Sequence, residues 1–151
     1  HSTLCVLEGL LAWNRWRPDP RLREALDRGI EYLMLRGAMH RLSTGEIVDS
    51  SFLVPASPPG WHYDIVRALD FLRDASVVAD DRLGAALDHI ETLRADNGRW
   101  QQGALHPGLD GEREREHWAG RAPGVGESVG TDSPVITLRA RRILRWAGRE
   151  A

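Results

Sequence analysis

"RLREALDRGIEYL", residues 21–33, recurs in looser form as "RLGAALDHIETL", residues 82–93, once Gly29 is set aside as a one-residue insertion. Any two amphipathic helices share apolar spacing, but the common Arg-Leu and Ala-Leu-Asp steps go beyond it and argue for an internal repeat over chance likeness. A second helix type repeats as well. "LEGL" at 7–10 matches "VRAL" at 66–69 and "LRAR" at 138–141, with a small residue (Gly9, Ala68, Ala140) at the same place each time. A helix pair therefore occurs twice, at an offset of about sixty residues, and half of a third pair follows. Small residues recurring on one helix type let helices approach closely, as in stacked or ringed hairpins.

Working outward, Leu4, Leu7, Leu10, Leu11 and Trp13 predict a helix over 3–16, stopped by Pro18 and Pro20. Pro20 suits the first turn of a second helix over 20–35, with Gly37 a plausible end. The segment "STGEIVDSSFLVPASPPG" (43–60) holds three Pro and two Gly and is expected to be a lid or a packed loop. A third helix is predicted over 61–75 and a fourth from Asp80 or Asp81 to Ala95, the aspartates placed as caps. Residues 101–131 break the pattern, and a last helix is predicted from Ser133 or Pro134 to Trp146. No strand is convincing. The expectation is one all-α domain, with a hairpin at 1–40, a loop at 41–60, a hairpin at 61–100, a loop at 101–131 and a final helix at 132–148.

Composition excludes several function classes. All 20 basic residues are Arg, so Schiff-base, pyridoxal and Walker-type lysines are absent from the sequence. A formal charge of −2 provides no broad basic field, and nucleic acid is not expected as a partner. The lone Cys5 cannot form an internal disulfide or a Cys-rich zinc site, which points to a reducing cytoplasm. No apolar run is long enough for a transmembrane segment. The chain opens on His1 and is already in a helical pattern by Thr3, so a piece of something longer is expected.

The hairpin repeat, together with "HSTLCVLEGLLAW", "PPGWHYDIVRALDFLRDA", "DNGRW" and "TLRARRILRW", resembles the prenyltransferase and squalene-oxidase/cyclase repeat superfamily, and more closely the second half of a group of bacterial members of it. The resemblance implies part of an α/α toroid, in which inner helices line a central cavity and outer helices wrap it. A ring of about six hairpins is implied, of which this chain supplies part, with an N-terminal half of the same protein as its missing partner. The resemblance also gives "DNGRW" (96–100) a role: Gly98 permits a tight turn after the outer helix, and Trp100 swings back over a neighbouring repeat. The family's usual Gln partner is replaced by Arg94, whose guanidinium can take over by a cation–π contact.

Chemistry is sparser. The superfamily's cyclases carry an Asp-x-Asp-Asp acid motif; Asp80-Asp81 is the nearest approach and is read as a helix cap. Cys5 one turn beyond His1, with His62 opening the next inner helix, has spacing that a zinc site could use. Without an Asp-x-Cys pair, a buried small thiol is the better reading, and no cofactor is expected. "GESVG" (126–130) fits the letters of a nucleophile elbow but follows no strand and precedes no His, so a linker is expected. "GEREREHW" (111–118) alternates in sign as a solvated loop does. What remains are the polar and aromatic residues at inner-helix beginnings: His1, Trp61, His62, Tyr63, Asp64 and Asp132. In a toroid they sit on one rim of the cavity, where they could orient the polar end of an apolar, isoprenoid-like small molecule; the plainer reading is that His62 and Asp64 cap their helix and His1 is a frayed end. Arg67, Arg139 and Arg141 also lie on inner-helix sequences, where a charge on a cavity wall needs a partner or a ligand. Whether the protein is an enzyme, a binding toroid or a helical scaffold for another protein is left open by these residues.

Overall fold

The computed structural model describes residues 1–105 and 127–150. The described residues form five α-helices and no extended strand: α1 Ser2–Trp16, α2 Pro20–Leu35, α3 Ile65–Asp74, α4 Gly84–Thr92 and α5 Pro134–Trp146. The expected bounds of α1, α2 and α5 match to within a residue. Each helix start has a local cause. Asp19 accepts the Arg21 N–H and Pro20 fills the first turn of α2; Ser133 accepts the Ile136 N–H ahead of Pro134 in α5. The third helix starts four residues later than its apolar pattern suggests, because Asp64, whose carboxylate accepts the Arg67 N–H at 2.9 Å, is the cap. Trp61, His62 and Tyr63 therefore precede α3. The fourth opens as a short 3-10 turn, Asp81–Leu83, capped by Asp80 and continued by α4.

Helices α1, α3 and α5 run side by side in the same direction. Tyr63 at the start of α3 bonds His1, and Arg15 near the end of α1 donates to the Asp74 carbonyl at the end of α3. Asp70 and Val77 likewise meet Arg139 and Trp146 in order along α5. Helix α2 lies along α1 and α4 touches α3, giving two helical hairpins and a fifth helix. Gly29 is no idle insertion. A Cβ there would fall 2.2 Å from Leu7 Cδ2, so its lack of a side chain sets the closeness of α1 and α2.

The turn "DNGRW" adopts the expected form. Gly98 has φ +74°, the Gly98 N–H donates to the Ala95 carbonyl, and the Ala95 N–H donates to Arg99. Trp100 is fully buried, with Nε1 donating to the Ile90 carbonyl at 2.7 Å, and the Arg94 guanidinium stands 5.6 Å from the ring centroid. The Trp100 N–H donates to Thr137 Oγ1 at 3.0 Å and its carbonyl accepts the Ser133 N–H at 2.9 Å, so the turn ties the second hairpin to α5. The loop over 41–60 is packed: the buried Gln102 amide accepts the Ser57 N–H at 3.1 Å and donates to the Ser57 carbonyl at 2.8 Å. The charged run 111–118 and Gly126 lie outside the described residues. Ser128, in the former elbow motif, closes a turn with Thr131 ahead of α5. No helix among the described residues is long and apolar enough to cross a membrane.

Candidate functional site

Of the six residues expected on one rim, His1, Trp61, His62 and Tyr63 come together, while the Asp64 carboxylate turns to the Arg67 N–H as the cap of α3. His1 Nδ1 accepts the Tyr63 N–H at 2.9 Å, and the His1 ring meets the edges of Trp61 at 5.1 Å, His62 at 4.9 Å and Phe52 at 5.1 Å. His1 is thus a held residue, not a frayed end. The buried Tyr63 hydroxyl donates to the Ala38 carbonyl, and burial pushes its pKa up. Asp132 lies elsewhere. Its carboxylate accepts from Asn97 Nδ2 at 2.9 Å and so belongs to the Trp100 turn.

A groove of about 420 Å³ opens beside this cluster, between α1, α3 and α5, and none of the six residues lines it. Its walls are Glu8, Leu11, Ala12 and Arg15 of α1 and Arg67, Asp70, Phe71 and Asp74 of α3, closed by Pro59, Gly60 and Arg139. The two sets correspond position by position at the spacing of 59 residues that separates Glu8 from Arg67, the register in which Gly9 matches Ala68. Equivalent faces of α1 and α3 therefore point into the groove.

Its charges are mostly paired. Arg67, nearly buried, donates from Nε to Glu8 at 2.9 Å, from Nη1 to the His62 carbonyl at 2.7 Å, and toward Cys5 Sγ at 3.5 Å. Burial opposes the Arg67 charge, yet the Glu8 hydrogen bond and field outweigh it and raise the pKa. Cys5 is half-buried, not the enclosed thiol expected, with its S–H directed at the Trp61 carbonyl. Arg73 holds Asp70 at 2.9 Å and Asp74 at 2.6 Å. Arg139 stands apart. Its Nε is 3.7 Å from Asp70 Oδ2, beyond hydrogen-bond range, and among the described residues its guanidinium makes no hydrogen bond. Beneath it the buried Asp64 carboxyl is pushed up to about 6 by desolvation, which outweighs the Arg67 N–H bond and the fields of Arg139 and Arg67.

No known protein family, curated protein or solved structure matches the chain. The groove must speak through its own chemistry. Among the described residues no group of three or more His, Cys, Asp or Glu could hold a metal ion. The arrangement can bind: the Arg139 guanidinium, held only by a 3.7 Å ion pair to Asp70, and an apolar strip from Leu11 and Phe71. Arg67 and Arg139, noted in the sequence as charges needing a partner, are both here; Arg141 instead reaches outward to the Gly98 carbonyl at 3.2 Å. Glu8, Asp70 and Asp74 were missed. The signal that finds them is the repeat register applied to charged as well as small positions.

Proposed function

We propose that the five helices form part of an α/α toroid of the kind made by prenyltransferase and squalene-cyclase repeats, and that the groove is a ligand-binding stretch of its concave wall. One observation carries this reading: repeat-equivalent faces of neighbouring inner helices converge on a single groove and hold largely desolvated charges there. Such charges cost stability unless matched, and among the described residues half-buried Arg139 has only a 3.7 Å ion pair to Asp70 and no hydrogen bond. A ligand with an anionic end supplies what Arg139 lacks. The apolar, isoprenoid-like body suggested by the family resemblance would find only Leu11 and Phe71 as large apolar neighbours in this groove. Its remainder would lie along further hairpins of a ring, the N-terminal half of the same protein in the resemblance. No reaction is assigned.

The test is calorimetric titration of the protein with farnesyl diphosphate, farnesol and inorganic pyrophosphate. Saturable binding of the first is expected, weakened at least roughly tenfold by Arg139→Gln, which corresponds to about 1.4 kcal/mol. Arg142→Gln, on the exposed side of α5, serves as the control and should bind as the parent does. No saturable binding, or an equal loss in both variants, would sink the reading.

A further inference from the structure

Among the described residues Asp64 is the only carboxyl buried in the core, at 3% exposed. Its carboxylate accepts the Arg67 N–H at 2.9 Å and makes no ion pair among those residues. The carboxylates that line the neighbouring groove are paired: Glu8 with Arg67, and Asp70 and Asp74 with Arg73. A buried carboxylate with backbone partners alone is costly to keep ionised. What offsets that cost decides when Asp64 takes up a proton.

Part of the answer lies in the groove wall. The field of Arg139, on α5, acts on Asp64 more strongly than that of Arg67, whose guanidinium is turned to Glu8. Packing explains why. Helices α3 and α5 run parallel, helical side chains lean toward the N-terminus of their own helix, and Arg139, opposite Asp70, therefore leans toward the first turn of α3. The other ionisable groups near Asp64 are engaged elsewhere. From α1, Glu8 and Cys5 are turned to Arg67, and His1 Nδ1 takes the Tyr63 N–H while its ring meets that of His62. Tyr63 is neutral, its hydroxyl on the Ala38 carbonyl, and the field of Arg36 from the end of α2 falls on that tyrosine. Asp132, ahead of α5, is held by Asn97. Arg139 is thus the one groove residue whose charge both reaches Asp64 and is open to a ligand.

We propose that an anion bound at Arg139 draws a proton onto Asp64, so that the groove takes up a proton as it fills. This rests on the reading of the groove as a ligand site. In the free chain the Arg139 field helps to keep the buried carboxyl ionised; a bound anion cancels that field, and desolvation then favours the neutral acid. The proton comes from solvent and no bond of the ligand changes. Asp64 Oδ1 keeps the Arg67 N–H, so the cap of α3 survives. The free carboxyl titrates at about 6 and the bound one higher, which sets the sign: affinity is level below 6, where Asp64 already carries its proton, and falls as pH rises above it. Asp64 is a positioning residue for charge, acting on the ligand through Arg139.

The experiment is calorimetric titration of the whole chain with farnesyl diphosphate in buffers of different protonation enthalpy, for the parent and for Asp64→Asn, which keeps a capping side chain. Protons taken up by the diphosphate itself are common to both chains, so the difference reports Asp64. Between about pH 5 and about pH 8 the parent's affinity should fall relative to that of Asp64→Asn by roughly three- to tenfold, the same factor by which the bound anion favours the protonated carboxyl. At the higher pH Asp64→Asn should bind more tightly than the parent, which mere damage to the helix start would not produce. Carbon-13 NMR of the Asp64 carboxyl gives a second measure without ligand: Arg139→Gln removes the same field and should raise the titration midpoint. Equal proton uptake by both chains overturns the coupling and leaves the groove a binding site. An Asp64 midpoint unmoved by Arg139→Gln overturns it too. Absence of saturable binding in both chains removes the ligand site and the coupling together.

Discussion

Replacing Trp100 by alanine removes the bulkiest fully buried side chain among the described residues. The indole's packing is lost, the Ile90 carbonyl loses its 2.7 Å donor, and the Arg94 guanidinium loses the ring it covers. Truncating a buried Trp costs about 3–5 kcal/mol, the range expected here. The Arg94 contact is exposed and contributes about 0.5–1 kcal/mol of that at most. Urea unfolding followed by circular dichroism measures the difference, with the midpoint falling and the slope unchanged. Trp100→Phe keeps most of the ring and loses only the N–H, so it should cost about 1–3 kcal/mol and keep the variant measurable even if the alanine form is unfolded. Trp100 clamps the second hairpin to α5, away from the groove, so Trp100→Phe should leave ligand affinity unchanged. A loss under about 1 kcal/mol for Trp100→Ala would refute the clamp.

Two further outcomes follow from single residues. Asp64 is ionised less readily in the folded chain, at about 6, than at its ordinary 3.8. The folded state therefore holds the proton more tightly, and stability present below pH 3.8 is lost as pH rises through 6, by on the order of 3 kcal/mol. Asn caps a helix as well as Asp, so Asp64→Asn should keep the α3 cap and abolish this loss when unfolding is followed across that pH window. Gly29→Ala sets a methyl 2.2 Å from Leu7 Cδ2. Overpacking costs about 1–3 kcal/mol against a helix-propensity gain of about 1, and thermal unfolding should show net destabilisation, with Leu7→Ala in the same chain reducing the penalty of the added methyl.

The fold was legible where local signals and periodicity agreed. Pro20 after Asp19, Pro134 after Ser133 and Gly98 before Trp100 each mark an element boundary by backbone chemistry alone, and the structure follows them. The start of α3 was not legible, because the run Trp61-His62-Tyr63 has the apolar character of a first helical turn while the cap is three residues downstream. Asp132 misled for a different reason. A residue next to a helix start is indistinguishable in sequence from one on a rim, and its bond to Asn97 depends on how the Trp100 turn meets α5. The groove was hidden most deeply. Glu8 and Arg67 are 59 residues apart, and each alone reads as a solvated charge on an amphipathic helix. Only when α1 and α3 lie parallel in repeat register do they meet, so the pair is a property of the stack.

That pair is also where the account is most directly tested. If the inner helices stack in register and converge on the groove, Glu8 and Arg67 interact across α1 and α3, with the guanidinium largely withdrawn from water. A double-mutant cycle of Glu8→Gln and Arg67→Gln, measured by urea unfolding, should give a coupling energy of about 1–3 kcal/mol. Additive losses, with a coupling of zero, would contradict the register on which the groove and the stack both depend.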